Sequence, residues 1–63
     1  MEKITLSDGS VASVIAEEND AYKFLLCENN NEAAEVCHAL VSIGNHAVVD
    51  FNSRYGWFVR VKK

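Results

Sequence analysis

The sequence predicts an α+β fold, a small antiparallel sheet in the order β-β-β-α-β-β with one amphipathic helix packed on one face. Three observations predict it. Short apolar runs of period two occupy both ends of the chain. One stretch with a period near 3.6 interrupts them. Polar clusters that contain the glycines separate the apolar runs.

The first strand is expected at Lys3–Leu6, with Ile4 and Leu6 on one face. Asp8-Gly9 follows, and Asp-Gly between two apolar runs signals a tight hairpin. A type I′ turn would need positive φ at both residues. The second strand, Val11–Ala16, is rich in β-branched residues. Glu17-Glu18-Asn19-Asp20 is a polar turn. Ala21–Cys27 reads as the third strand, with Tyr22, Phe24 and Leu26 on one face and Lys23, Leu25 and Cys27 on the other.

A helix is expected over residues 31–43. Ala33, Val36, Cys37, Leu40 and Val41 fall at i, i+3, i+4, i+7 and i+8, which makes one apolar stripe. Any of Asn29, Asn30 and Asn31 can cap its start. Asn29 with Glu32 fits a capping box. Gly44 sits where a left-handed residue would end the helix. The last two strands are His46–Phe51 and Trp57–Val61, joined by the loop Asn52–Gly56. Ala47, Val49 and Phe51 share a face with Trp57, Val59 and Val61, so Trp57 is expected in the core under the helix.

One helix covers one face of such a sheet, and antiparallel sheets tolerate a second face in water. That second face would show His46, Val48, Asp50, Phe58, Arg60 and Lys62. Asp50 and Arg60 would form a cross-strand pair, and Phe58 and Val48 would stand uncovered.

Sixty-three residues allow one domain. A chain this short buries only about 60% of its unfolded surface, so its margin of stability is thin. The hydrophobic fraction, 49%, favours dense packing or an apolar surface shared with a partner. The net charge of −3 is unevenly spread. Eight of the nine acidic residues precede residue 36, and four of the six basic ones follow it. The chain shows no apolar run that would span a bilayer and no signal peptide, so a cytoplasmic protein with reduced cysteines and no membrane contact is expected.

The residues that carry chemistry do not assemble into a known constellation. Cys27, Cys37, His38 and His46 lack the close ligand pairs of a zinc site. Cys37 belongs to the helix stripe, where a free cysteine acts as a small hydrophobe. The three glycines are scattered, so no phosphate-cradling loop exists. No catalysis, cofactor or metal is expected.

A protein-interaction module is therefore the leading expectation: an adaptor, inhibitor or regulatory subunit, by analogy with compact inhibitors carried by phages and mobile elements. Tyr55, Phe58 and Arg60 are the expected contact residues, with Val48, Arg54 and Lys62 around them. The partner is another protein, or a second copy in a homodimer. The rival is single-stranded RNA, held by the basic and aromatic residues of the C-terminal hairpin. The acidic balance, with an isoelectric point near 5.1, weighs against it.

Overall fold

A computed structural model describes residues 1–63. Five strands and one helix follow in the order β1 (Glu2–Thr5), β2 (Val11–Glu18), β3 (Tyr22–Leu26), α1 (Asn30–Ser42), β4 (Ala47–Asn52) and β5 (Gly56–Lys62). The strands form one antiparallel sheet in the order β1-β2-β3-β5-β4. The α+β fold and the element order read from the sequence are those observed. β3 and β4 both pair with β5, so they run in the same direction. The helix carries the chain back between them, and β5 then inserts into the gap.

β2 is divided between two partners. Val11–Val14 pair with β1, whereas Ile15–Glu18 pair with β3. The sheet curls as a result. The helix packs on β4 and β5 at one side and still touches β1 at the other.

The first hairpin differs from the expected type I′ turn. Only Gly9 has positive φ, at +89°, and Asp8 does not. The loop is Ser7-Asp8-Gly9, closed by the Leu6 N–H donating to the Ser10 carbonyl at 2.8 Å and the Gly9 N–H to the Leu6 carbonyl at 3.0 Å. This is the three-residue hairpin in which the last loop residue is left-handed. Asp8 instead uses its carboxylate, which accepts from the Ser10 hydroxyl and the Ser10 N–H. Those two bonds hold its pKa below the ordinary carboxylate value.

The helix ends are capped largely as the sequence reads. The Asn29 side chain accepts the Glu32 N–H at 2.8 Å. Glu32 returns the contact one residue further upstream than in a standard capping box, accepting the Glu28 N–H at 3.1 Å. At the other end Gly44 takes φ +95°. Its N–H donates to the Val41 carbonyl and that of Asn45 to the Leu40 carbonyl, which is the Schellman arrangement.

The core is built from Ala12, Val14, Leu25, Cys27, Ala33, Val36, Leu40, Val59 and Val61. Most of these residues are small or β-branched, which lets the helix lie close to the sheet. Two expectations are corrected. Val41 leaves the stripe and is 51% exposed, because β4 is the edge strand and nothing beyond it covers that flank. Trp57 sits at the margin of the core, half-buried, with the exposed ring of Phe51 5.1 Å away.

Leu25 is 1% exposed at the centre of the cluster. Leu25→Ala should cost ~3 kcal/mol. A chain of this length has roughly 3–9 kcal/mol in total. Urea unfolding followed by circular dichroism should therefore show the variant at least half unfolded near room temperature or with a sharply lowered midpoint.

Candidate functional site

The face without the helix carries the exposed chemistry. In an antiparallel ladder, directly opposed residues share a face. Leu26 opposes Ile15 and Phe58; Phe24 opposes Glu17 and Arg60; Tyr22 opposes Lys62. Val48 opposes Arg60, and Asp50 opposes Phe58. The Tyr22, Phe24 and Leu26 row of β3 therefore lies on the open side, and the smaller Leu25 and Cys27 row faces the helix.

This orientation corrects the expectation that Phe58 stands uncovered. Phe58 is only 4% exposed. Phe24 meets it edge-on with ring centroids 5.8 Å apart, and so does Tyr55 at the same distance. Phe24 and Tyr55 also stack on each other, 6.1 Å apart with planes 24° from parallel. The contact surface moves from Phe58 to the rings above it.

Tyr55 reaches that position because the last loop is tightly held. Asn52 and Gly56 pair, so the connection is three residues rather than the expected five. The Asn52 side-chain oxygen accepts the N–H groups of Arg54 and Tyr55 at 3.0 and 2.7 Å. Gly56 takes φ +72° and turns the chain into β5.

The rings form a row, Tyr22, Phe24, Tyr55, with an arginine at each end. The Arg60 guanidinium lies 5.3 Å from the Tyr22 ring centre, and the Arg54 guanidinium 5.3 Å from that of Tyr55. Arg60 also pairs with Asp50 at 3.6 Å, as read from the strand alternation. Both groups are well exposed, so this pair orients more than it stabilises. Val48 and Lys62 stand exposed beside Arg60. On the other flank Val11 and Ile15 are 57% and 55% exposed, which extends the apolar surface across β2.

Of the sequence-derived contact residues, the structure gathers Val48, Tyr55, Arg60 and Lys62 on or beside this face, with Arg54 at its rim. Tyr22, Phe24, Val11 and Ile15 were missed. Their signal was the alternating large row of β3, which becomes informative only once β3 is known to neighbour β5.

Below the row a shallow groove of about 350 Å³ opens between the end of α1 and the sheet, lined by Tyr22, Val41, His46, Val48, Arg60 and Lys62 among others. No three of the His, Cys, Asp and Glu side chains gather into a group able to hold a metal ion. Cys27 is a free thiol buried in the core, and Cys37, also free, donates to the Ala47 carbonyl at 3.4 Å.

No family model, curated protein or solved structure matches the chain. No helix is long and apolar enough to cross a membrane.

Burial, and secondarily the charge of Glu32, pushes the Cys27 thiol up to about 11 from 9.0. A raised pKa stabilises the fold fully below the unfolded value and is lost as pH rises through the folded one. The urea midpoint should therefore fall as pH rises from 9.0 towards 11. Cys27→Ala should shift the midpoint at every pH but flatten that alkaline slope.

Proposed function

We propose that this chain is a small non-catalytic protein-interaction module that binds another protein through its open sheet face. It would serve as an adaptor, inhibitor or regulatory subunit in the cytoplasm, alone or as a homodimer. The observation that carries the reading is the arginine-capped aromatic row on a face with no second layer. Aromatic and arginine side chains dominate the energetics of protein interfaces. Here they are held by each other and by the Asn52 turn, so little ordering is left to be lost on binding. Exposed Val11, Ile15 and Val48 widen the surface with aliphatic area. Such area suits a protein partner better than a charged strand.

The aromatic row also supports the second reading, single-stranded RNA, because successive bases stack on such rings. Two features weigh against it. Arg60 is drawn to Asp50, and Glu17 stands directly across from Phe24. A polyphosphate chain would meet carboxylates on both sides of the platform.

The two readings separate in one experiment. Affinity capture from the source cells should yield a protein that Ile15→Asp and Tyr55→Ala each release, while both variants keep the far-ultraviolet dichroism of the intact chain. Once that partner is purified, Tyr55→Ala should weaken binding by about thirtyfold, or roughly 2 kcal/mol. Binding of labelled single-stranded RNA that falls steeply with salt and vanishes in Arg54→Ala with Arg60→Ala would replace this reading with the second.

A further inference from the structure

We infer that β4 is a self-pairing edge through which two copies join into one continuous sheet, in a two-fold register centred on Val48. The inference concerns the β4 edge, which meets the open face at Val48 and Asp50, and its test reads self-association, which the failure of the proposed function would leave unchanged.

The ladder fixes which groups of β4 are free. The Lys62 N–H donates to the His46 carbonyl. Hydrogen-bonded pairs recur at every second residue of an antiparallel pair, so residues 46, 48, 50 and 52 turn their backbone groups toward β5. On β5 the alternate residues turn toward β3, as the Cys27 N–H bond to the Trp57 carbonyl requires. Ala47, Val49 and Phe51 consequently point their N–H and C=O groups outward from the edge. Unpaired rows of this kind are templates for another strand, and natural edges are usually blocked by charge, proline or bulges. β4 has no proline or lysine, its one charged residue is Asp50, and its pairing with β5 runs without a bulge through all six residues.

Two outward groups are already engaged: the Ala47 carbonyl accepts the Cys37 thiol at 3.4 Å, a weak bond that leaves it a second lone pair, and one N–H is taken outright. The Phe51 N–H donates to the Asp50 carboxylate at 2.8 Å. This choice discriminates between registers. Within β4, three two-fold axes bring two or more pairs of outward residues into hydrogen-bonded register, whereas axes at Ala47 and Phe51 bring one. An axis at Asp50 sets the two Asp50 carboxylates against each other. An axis at Val49 needs the Phe51 N–H that Asp50 holds, and it sets Asp50 opposite Val48. An axis at Val48 needs only Ala47 and Val49, which exchange both bonds with Val49 and Ala47 of the second copy. It then sets Asp50 of each copy opposite His46 of the other, on the open face, as a complementary pair. The two Val48 side chains meet at the axis as a non-hydrogen-bonded pair, the closest approach in such a ladder. Val48 is 47% exposed in the single chain and would be covered. The same register carries Phe51, exposed on the helix side, toward Asn45 and the exposed Val41 of the other copy. The sheets would join as β1-β2-β3-β5-β4-β4-β5-β3-β2-β1, closing the assembly at two copies.

Sedimentation equilibrium of the intact chain over a wide concentration range should show a monomer–dimer equilibrium. Val48→Lys faces two ammonium groups at the axis and should raise the dissociation constant by about tenfold or more. Val49→Pro removes an outward N–H without touching the β5 ladder and should do the same. Retained circular dichroism shows that both variants fold. Under mild oxidation Val48→Cys should give a covalent dimer, because opposed Cα atoms about 4.5 Å apart suit a disulfide. Asp50→Cys should not. A strict monomer at every concentration overturns the inference. So does a dimer unaffected by Val48→Lys and Val49→Pro, or one that crosslinks through Asp50→Cys and not Val48→Cys.

Discussion

The structure turns on the burial of Phe58 on a face that has no covering layer. A five-stranded sheet with one helix leaves half its side-chain rows facing away from the helix, and on that side β3 and β5 carry the rings of Phe24 and Phe58. Phe58 meets this constraint sideways. Phe24 from β3 and Tyr55 from the loop close over it, edge to face, and stack on each other. The sheet thus has a second, one-layer core of aromatic rings. The rings that do the covering are themselves half exposed, and that exposure is the source of the candidate site. The same contacts tie the last loop to β3 and keep the arginine-capped row in place.

The helix side follows from a complementary restriction. α1 lies close to the sheet because the residues between them are small: Ala12, Val14 and Val59 below, Ala33 and Val36 above. The bulky row of β3 would not fit there, so β3 presents Leu25 and Cys27 inward and Tyr22, Phe24 and Leu26 outward. A single steric preference under the helix therefore decides what the open face displays. At the β4 edge the helix stops short of full cover, leaving Val41 and Phe51 in water next to the outward backbone of Ala47 and Val49, which pairs with no strand. The open face and the β4 edge thus have different causes, one in packing volume and the other in topology.

Much of this architecture was legible in the chain. Period-two runs and the 3.6-residue stripe gave all six elements to within one or two residues, because each is bounded by local turn chemistry: Asp8-Gly9, Asn29 with Glu32, Gly44 and Asn52 through Gly56. Asp50 and Arg60 were paired correctly from alternation alone. What stayed hidden was nonlocal. Alternation yields two rows per strand without saying which faces in, and in β3 both rows are largely apolar, Lys23 being the one charged residue. Strand order was also open, so nothing in the sequence put β3 beside β5 and Phe24 over Phe58. The division of β2 between β1 and β3 and the left-handed Gly9 beside an ordinary Asp8 likewise depend on how the sheet curls.

The most direct test of the aromatic cover is solvent access to each ring, read by nuclear magnetic resonance with a soluble paramagnetic agent at low protein concentration. The ring protons of Phe58 should be shielded, while those of Tyr22, Phe24 and Tyr55 and the methyl groups of Ile15 broaden strongly. Equal broadening of Phe58, or protection of Ile15 and Tyr22 in the isolated chain, would contradict a one-layer aromatic core with its upper surface open to a partner.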